Sequence, residues 1–361
     1  MTWPQWLPLR TELKPLTPYG APQVPAQASL NTNENPYSPS PALQRAIADA
    51  VLRQAAQLNR YPDRDATKLR SQLSEYINGL SSTSFSAENI WAANGSNEII
   101  QSIFLAFGSG VALGFTPSYS MHPLIAKVTG TAWIDGVRNA DFSLNVNDAQ
   151  AQIKQHKPVL TFITTPNNPT GGSIAISDIQ LLADATATVG GLLVVDEAYA
   201  EFSQEVSAVT LIKDNPHVLV IRTMSKAFAF AGARVGYLVS DIAVKDAMLV
   251  VRLPYHLSAL TQAAASVAID FKDELLGTVT TLVAARVFLE EQLHELGLTT
   301  ISSSANFILF TGFNAPAPKL WSELLSKGVL IRDVGIPGYL RVTIGNEAEN
   351  KMFITALKEL I

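Results

Sequence analysis

One lysine in this chain has the surroundings that turn an amine into a nucleophile. Lys226 lies in the stretch Thr223-Met-Ser-Lys-Ala-Phe-Ala-Phe-Ala-Gly-Ala-Arg234, directly after the apolar run 217–222. The length and β-branched content of that run predict a buried strand. A lysine among small and aromatic residues is poorly hydrated, which lowers its pKa and makes its amine a usable nucleophile. Thr223, Ser225 and Arg234 could hold an anion next to it.

A lysine beside a phosphate cradle is what a pyridoxal-phosphate enzyme needs. Read alone, however, the stretch fits a surface lysine beside a strand-to-helix turn better. The residues at the ends of the other apolar runs decide between the two, because ligands of open α/β sheets lie beyond the carboxyl ends of the strands.

Residues 94–98, Asn-Gly-Ser-Asn-Glu, join one such run to a helical pattern. The glycine permits a tight turn, and backbone N–H groups at the start of a helix bind phosphate well. Helix capping by Ser96 or Asn97 explains the same motif equally well when it stands alone.

Two more polar clusters come directly after apolar runs. Residues 165–172, Thr-Pro-Asn-Asn-Pro-Thr-Gly-Gly, could present an amide to a ligand, although loops of this composition are usually simple turns. Asp196 could keep a pyridine nitrogen protonated, so that the ring withdraws electrons. Tyr199 could hydrogen-bond the phenolic oxygen of the ring. A helix cap and a magnesium ligand remain alternatives for Asp196, while a Walker-type nucleotide site is disfavoured because the chain has no G-x-x-x-x-G-K-[ST] loop.

The composition excludes several other kinds of chemistry. The chain has 361 residues, 47% of them apolar and 16% charged, with a net charge of −5, no cysteine and five scattered histidines. Disulfides, thiolate metal sites and cysteine nucleophiles are therefore excluded, and a zinc site is disfavoured. No basic field favours nucleic acid or an anionic membrane. Without an apolar run of 18 residues or a signal-peptide pattern at the start, we expect a soluble, cytoplasmic protein.

The elements that must position these residues alternate between short apolar runs and helical patterns from about residue 89 to residue 222. Such alternation predicts an α/β fold whose mainly parallel sheet is covered by helices on both faces. The segment 241–297 is rich in helical patterns, and three strands around one helix lie between residues 305 and 344. The first 40 residues are rich in proline and predict an extended arm. We therefore expect an arm (1–40), a large domain (41–260) and a small α+β domain (261–361).

Four chemically compatible strand ends in one domain are an improbable coincidence, and together they resemble the fold-type I pyridoxal-phosphate aminotransferases. The similarity is greatest to the histidinol-phosphate aminotransferase branch and extends over essentially the whole chain. The motifs that carry it are Leu30-Asn-Thr-Asn-Glu-Asn-Pro36, Arg60-Tyr-Pro-Asp63, Asn94-Gly-Ser-Asn-Glu98, Pro166-Asn-Asn-Pro-Thr-Gly171, Asp196-Glu-Ala-Tyr199, Ser225-Lys-Ala-Phe228 and Leu340-Arg-Val-Thr-Ile-Gly345.

The resemblance implies pyridoxal 5'-phosphate as cofactor, a seven-stranded type of sheet in the large domain, and a role for each matched residue. Lys226 would bind the cofactor covalently, Asp196 would pair with its pyridine nitrogen, and Tyr119 would stack on its ring. Asn168 and Tyr199 would bind the ring hydroxyl. The implied phosphate ligands are Ser96, Asn97, Thr223, Ser225 and Arg234, with Tyr61 reaching across from the second subunit of a homodimer. The implied substrate ligands are Tyr19, Arg332 and Arg341.

The implied reaction is amino transfer from L-histidinol phosphate to 2-oxoglutarate, giving imidazole acetol phosphate and L-glutamate. An aromatic amino-acid aminotransferase is the nearest alternative, because paired arginines suit a phosphate and a carboxylate equally well. A decarboxylase of a phosphorylated amino acid is a more distant alternative. An effector-sensing regulator built on the same domain is remote, since the arm has neither a helix-turn-helix pattern nor basic charge.

Two departures from the family's pattern concern the backbone. Ala229-Phe230 stands where the family commonly has Gly-Leu, and the loss of that glycine restricts the chain near Arg234. Asn346-Glu347 comes after Gly345 where a threonine is expected.

Overall fold

The computed structural model of the protein describes residues 3–361, so Met1 and Thr2 of the predicted arm lie outside the described residues. The helices are α1 (Pro41–Ala55), α2 (Thr67–Ser81), α3 (Ser96–Phe107), α4 (Met121–Thr129), α5 (Val146–His156), α6 (Ile176–Thr188), α7 (Ile242–Val251), α8 (Ala259–Asp270), α9 (Lys272–Glu295), α10 (Ala317–Ser326) and α11 (Glu347–Lys358). The strands are β1 (Ala28–Ser29), β2 (Ile90–Ala93), β3 (Val111–Thr116), β4 (Ala132–Val137), β5 (Leu160–Thr164), β6 (Leu192–Asp196), β7 (Val218–Thr223), β8 (Gly236–Val239), β9 (Thr299–Ile301), β10 (Phe307–Thr311), β11 (Val329–Leu330) and β12 (Leu340–Thr343).

Seven strands form the central sheet in the order β2-β8-β7-β6-β5-β3-β4. Six of them run parallel, and β8 runs antiparallel to both of its neighbours. The predicted α/β class with a mainly parallel seven-stranded sheet is therefore confirmed. Strand β8 was not predicted, because Gly236–Val239 follows the lysine stretch directly and no clear apolar run sets it apart.

The central strands are buried on both faces because consecutive side chains pack into different cores. Phe162, Val194 and Leu219 pack with α3 and α4 on one face, whereas their successors in the chain pack with α6 and α9 on the other. This pattern accounts for near-continuous apolar runs instead of alternating ones. The carboxyl ends of the six parallel strands consequently lie at one edge of the sheet.

A second, three-stranded antiparallel sheet has the order β12-β10-β9. Strand β1 of the proline-rich segment pairs with β11, and the Leu30 carbonyl accepts a hydrogen bond from the amide of Thr343 at 3.0 Å. Further back, the Arg10 guanidinium donates to the Val128 carbonyl at the end of α4, at 3.0 Å. The arm therefore contacts α4, which packs on the central sheet, and also contacts the three-stranded sheet. Its residues 19–34 lie between these two parts of the protein.

The departure after Gly345 has a local explanation. The Asn346 side chain accepts from the amide of Glu349, and the Glu349 carboxylate accepts from the amide of Asn346, at 3.0 and 2.9 Å. This reciprocal pair is a capping box at the start of α11, a helix that was not predicted. Within residues 3–361, no helix combines the length and the apolar character needed to cross a bilayer.

Candidate active site

The carboxyl edge of the central sheet opens into a cavity of about 460 Å³. Of the residues predicted for the site, all except Tyr61 line it. These residues belong to the arm, to the loops after β2, β3, β5, β6 and β7, to strand β12 and to the loop that precedes β12. The predicted members lining the cavity are Tyr19, Ser96, Asn97, Tyr119, Asn168, Asp196, Tyr199, Thr223, Ser225, Lys226, Arg234, Arg332 and Arg341.

Lys226 lies three residues beyond β7, and its Nζ donates a hydrogen bond to the Thr32 carbonyl of the arm at 2.8 Å. Burial lowers the pKa of Lys226 to about 8, and the charges of Arg341 and Arg234 act in the same direction. Only the carboxylate of Glu34 opposes them. About a tenth of the amine is therefore unprotonated at pH 7, far more than for an ordinary lysine, and nucleophilic attack requires this form.

The lowered pKa predicts how the amine of Lys226 reacts. In cofactor-free protein, the rate of addition of pyridoxal phosphate should rise with pH through about 8, because only the unprotonated amine reacts. An ordinary lysine would give the same rise near 10.5. Stopped-flow absorbance over a pH series measures this rate, and an inflection above about 10 would contradict the assigned surroundings.

Asp196 ends β6 and is almost fully buried, with 1% of its surface exposed. Its Oδ1 accepts from the amide of Ala198 at 3.2 Å, and its Oδ2 lies 3.1 Å from Nε2 of His122. An ionised carboxylate only accepts hydrogen bonds, so this contact selects the His122 tautomer that carries its proton on Nε2. Asp196 is thus oriented from both sides. It does not cap the short helix that follows, Ala200–Phe202, whose N-cap position is Tyr199.

His122 was not among the predicted site residues. It lies in α4, is 2% exposed, and packs its ring against Phe162 with a centroid separation of 4.9 Å. Its partner stands 74 positions away, so spacing within the helix could not reveal the contact. His122 acts on the site through Asp196 as a positioning residue.

The contact of His122 can be tested with His122→Phe, which keeps an aromatic ring in the core but removes the N–H. Loss of a hydrogen bond to a buried charged group should lower kcat/KM by about 10- to 100-fold. Steady-state kinetics measures the loss, and circular dichroism checks the fold. Unchanged kinetics in a folded variant would show that Asp196 does not depend on this contact.

The two separate stretches predicted to form a phosphate cradle lie next to each other at the start of α3. That helix begins after Gly95 with no side-chain cap, and Asn97 instead accepts from the Tyr119 hydroxyl at 3.1 Å. Capping by Ser96 or Asn97 therefore does not explain the motif. The first N–H groups of α3 remain available to an anion.

The second half of the cradle comes from the lysine stretch. The amide of Ser225 donates to the Thr223 hydroxyl at 3.1 Å, and the Arg234 guanidinium donates to the Ser225 hydroxyl at 3.3 Å. A Cβ added to Gly95 would lie 2.5 Å from Nη2 of Arg234, and one added to Gly236 would lie 2.6 Å from the Ser96 nitrogen. Glycine at both positions lets the two halves approach each other.

The departure at Ala229 has a structural consequence. Its φ is 52°, in the left-handed region that the family's usual glycine adopts without strain. An alanine there costs about 1 kcal/mol. The Arg234 guanidinium nevertheless contacts Ser225. The alanine therefore strains the backbone without displacing Arg234.

Replacing Ala229 by glycine should therefore raise the free energy of unfolding by up to about 1 kcal/mol, measured by denaturant titration. Ala247→Gly, in the middle of α7, is the matched control and should lower it by about 0.5–1 kcal/mol. Equal destabilisation by both changes would contradict the strain at Ala229.

Tyr199 is 4% exposed, and burial raises its pKa. Its hydroxyl oxygen accepts from Nδ2 of Asn168 at 3.4 Å and from Nδ2 of Asn33 at 2.9 Å. Asn168 in turn accepts from the guanidinium of Arg341. The two residues predicted to bind a ring hydroxyl are therefore linked to a predicted substrate arginine.

Arg341 lies in β12 and is 6% exposed. It donates to the Asn31 carbonyl at 2.8 Å and lies over the ring of Phe307, but its Nε has no hydrogen-bond partner. Burial lowers the pKa of Arg341 to about 10. Across residues 3–361 no carboxylate forms an ion pair with it, so the cavity contains an arginine suited to an anion from solution.

Arg332 exchanges both backbone hydrogen bonds with Arg341, each at 2.9 Å. Arg332 forms no salt bridge with the neighbouring Asp333, since the ion pairs of the described chain leave both residues out. Tyr19 approaches from the arm, half exposed. These groups give the mouth of the cavity a cationic side.

Tyr61 is the predicted site residue that the structure does not bring to the cavity of its own chain. It is 80% exposed and stacks on Tyr255 with a centroid separation of 4.4 Å. Its position agrees with a residue that would serve another subunit.

The residues of the cavity fit pyridoxal phosphate. A nucleophilic lysine, a buried carboxylate, a hydroxyl with an amide, and a helix start with an arginine match its carbonyl, its pyridine nitrogen, its ring oxygen and its phosphate. Arg341 lines the same cavity with no carboxylate paired to it among residues 3–361, so a second, anionic ligand fits beside it.

Comparison with known proteins identifies the family of the chain. The sequence model of a family described as "Aminotransferase class I and II" matches residues 25–357. Histidinol-phosphate aminotransferase of Mycobacterium sp. (strain JLS) is 52% identical over 358 residues, which cover 98% of this chain and 94% of the relative. The enzyme of the same name from Mycolicibacterium vanbaalenii is 53% identical, over 97% of this chain and 95% of its own.

Among solved structures, histidinol-phosphate aminotransferase from Sinorhizobium meliloti in complex with pyridoxal-5'-phosphate aligns with a TM-score of 0.84. The alignment covers 98% of this chain and 97% of that chain at 21% identity, a likeness of fold.

Proposed function

The chain belongs to the class I and II aminotransferase family, and we propose that it transfers the amino group of L-histidinol phosphate to 2-oxoglutarate. The products are imidazole acetol phosphate and L-glutamate, a step of histidine biosynthesis in the cytoplasm. The observation that carries the proposal is the 52% identity over 98% of the chain to a relative of that name. Arg341 supports it, because this buried arginine has no acidic partner among residues 3–361 and both substrates bear an anionic group near the reacting carbon.

Pyridoxal phosphate is the cofactor of this reaction and, when bound, supplies a ring that withdraws electrons from the substrate's Cα. Asp196 would keep the pyridine nitrogen protonated, Tyr199 and Asn168 would bind the ring oxygen, and Tyr119 would stack on the ring. The phosphate group would be held by Ser96, Asn97, Thr223, Ser225 and Arg234. We assign these roles from the cavity that the residues share.

Lys226 has two roles in sequence. Its amine would hold the cofactor covalently until a substrate amine takes its place. The amine would then be free to act as the base and acid that moves a proton at the substrate's Cα. A pKa near 8 suits both roles, because the group must be a base at one moment and an acid at the next.

The substrate's anionic end lies against Arg341 and Arg332, with Tyr19 closing the cavity from the arm. The guanidinium of Arg341 can bind a phosphate or a carboxylate through paired hydrogen bonds, so one arginine serves both substrates in turn. Its hydrogen bonds to Asn168 and to the Asn31 carbonyl fix the direction in which it faces.

The substrate is tested by comparing kcat/KM for histidinol phosphate and phenylalanine with 2-oxoglutarate as acceptor. We expect a preference for histidinol phosphate of about 100-fold or more, because phenylalanine lacks the phosphate dianion. A clear preference for phenylalanine would reassign the chain to aromatic amino-acid transamination.

We propose a homodimer in which Tyr61 reaches the phosphate site of the other subunit. Besides Tyr61, the nearby Val250 and Leu253 are 84% and 73% exposed, which is unusual for large apolar side chains that cluster. The ion pair between Arg252 and Asp65 joins the segment that contains Val250 and Leu253 to the segment that contains Tyr61.

Complementation tests this arrangement. Lys226→Ala and Tyr61→Ala subunits, each impaired alone, should regain activity when refolded together, since one site of the mixed dimer then has both native residues. No gain in a verified mixed dimer would place Tyr61 in its own subunit's site.

We further propose the division into an arm (1–40), a large domain (41–260) and a small domain (261–361). The central sheet lies within residues 90–239 and the three-stranded sheet within 299–343, which supports it. The proposed junction falls in the first turn of α8.

A further inference from the structure

The hydroxyl of Tyr199 receives two amide N–H groups within the protein. Asn33 of the arm donates from 2.9 Å, and Asn168 donates from 3.4 Å. A phenolic oxygen accepts about two hydrogen bonds and donates one. With both acceptor positions taken, the hydroxyl hydrogen has to point at a third group, and the open direction is the cavity that Tyr199 lines.

The side chain of Asn33 is itself held in one orientation. It is 1% exposed, and its backbone amide donates to the Thr343 hydroxyl at 3.0 Å. The Thr343 hydroxyl donates to Oδ1 of Asn33 at 3.1 Å, which leaves Nδ2 facing Tyr199. The orientation of the amide is thus set by its hydrogen-bond network.

The same contacts anchor Asn33 to the three-stranded sheet. Its carbonyl accepts from Nδ2 of Asn306 at 3.1 Å, and Thr343 stands two residues after Arg341 on β12. The position of Asn33 therefore depends on the strand that carries the substrate arginine and on docking of the arm. None of these contacts was predicted from the motif that contains Asn33.

We propose that Asn33 is a positioning residue that directs the Tyr199 hydroxyl hydrogen toward the cofactor's ring oxygen. This inference rests on the proposed function, because the ring oxygen belongs to pyridoxal phosphate. Asn33 donates a hydrogen bond to one lone pair of the Tyr199 oxygen, and the hydroxyl hydrogen is then directed toward the cavity. Without it, the hydroxyl rotates, or water competes for it, and the ring oxygen loses its donor for part of the time.

A hydroxyl directed at the ring oxygen has a measurable effect. When the lysine-bound cofactor loses its proton, negative charge remains on the ring oxygen, and a donor there stabilises that unprotonated form. Tyr199 therefore lowers the pKa of the lysine-bound cofactor. Removing Asn33 should raise that pKa by about 0.5–1 unit, the equivalent of one hydrogen bond.

The experiment titrates the visible absorbance of the cofactor-loaded protein with pH, without substrate. Asn33→Gly is the main variant, because the φ of 55° at this position is one that glycine adopts freely. Asn33→Asp is the second variant, since its carboxylate would accept the Tyr199 hydrogen and raise the pKa at least as far. Tyr199→Phe and the double variant Asn33→Gly/Tyr199→Phe complete a cycle. Asn139→Ala is the control, because the Asn139 side chain donates to the Ser143 hydroxyl at 2.8 Å and does not line the cavity.

We expect an upward shift in Asn33→Gly, a shift of equal or larger size in Tyr199→Phe, no further shift in the double variant, and none in Asn139→Ala. The same upward shift in the presence and in the absence of the Tyr199 hydroxyl would mean that Asn33 acts on the whole site and would overturn the inference, as would no shift in either Asn33 variant. A wild-type protein without a titrating cofactor absorbance would instead refute the proposed function.

Discussion

Replacing Lys226 by alanine is expected to abolish the absorbance band of lysine-bound pyridoxal phosphate and to lower kcat by about 10⁴-fold or more. The amine is both the covalent attachment point and the group that moves the proton, so both functions disappear together. Other residues of the phosphate cradle remain, and the variant should still bind the cofactor noncovalently. Absorbance spectra and a single-turnover assay measure the two losses separately.

Lys213→Ala, on the exposed surface near β7, is the matched control and should leave both readouts unchanged. The contradicting result is a Lys226→Ala protein that keeps the spectrum of covalently bound cofactor. Another lysine would then be the attachment point, and the roles assigned around the cavity would have to be rebuilt.

Replacing Arg341 by methionine is expected to lower kcat/KM by about 100-fold or more for both histidinol phosphate and glutamate. Both substrates would lose the same anion contact, since the cavity offers one arginine beside Asn168. The unliganded protein should lose little stability in comparison, because a buried guanidinium without an acidic partner is itself costly. Kinetics in both directions and a denaturant titration measure the two effects.

Arg332→Met provides the comparison, since Arg332 contacts Arg341 through its backbone and its side chain is less buried. We expect a smaller loss that falls mainly on histidinol phosphate, whose phosphate carries more charge. The contradicting result is an Arg341→Met protein whose free energy of unfolding falls as much as its activation free energy rises. The arginine would then be a structural element and not an anion ligand.

The fold could be predicted to a large extent because the buried strands are continuous apolar runs and the helices between them are periodic. Polar residues such as Asp196 and Lys226 then stand out at the ends of those runs, and a parallel sheet brings strand ends to one edge. The sequence pattern thus contains both the identity of the site residues and the reason that they converge. The resemblance to a family added the role of each residue.

Contacts between residues far apart in sequence could not be predicted from the pattern. His122 looks like an ordinary polar residue of α4 until Asp196 is found 3.1 Å from it. Asn33 belongs to the motif Leu30–Pro36, yet it lies 166 positions from Tyr199 in the sequence. No periodic pattern indicates a contact over that separation. Likewise, the departure at Ala229 indicated a restricted backbone, but only the φ of 52° shows that the chain keeps the glycine-like conformation.

The most direct test of the proposed reaction is a single half-reaction in the absence of 2-oxoglutarate. Cofactor-loaded protein is mixed with L-histidinol phosphate while the visible absorbance and the keto product are monitored. We predict loss of the absorbance with release of one equivalent of imidazole acetol phosphate per site, and recovery of the absorbance when 2-oxoglutarate is added. An absorbance that histidinol phosphate leaves unchanged, while phenylalanine abolishes it, would contradict the account.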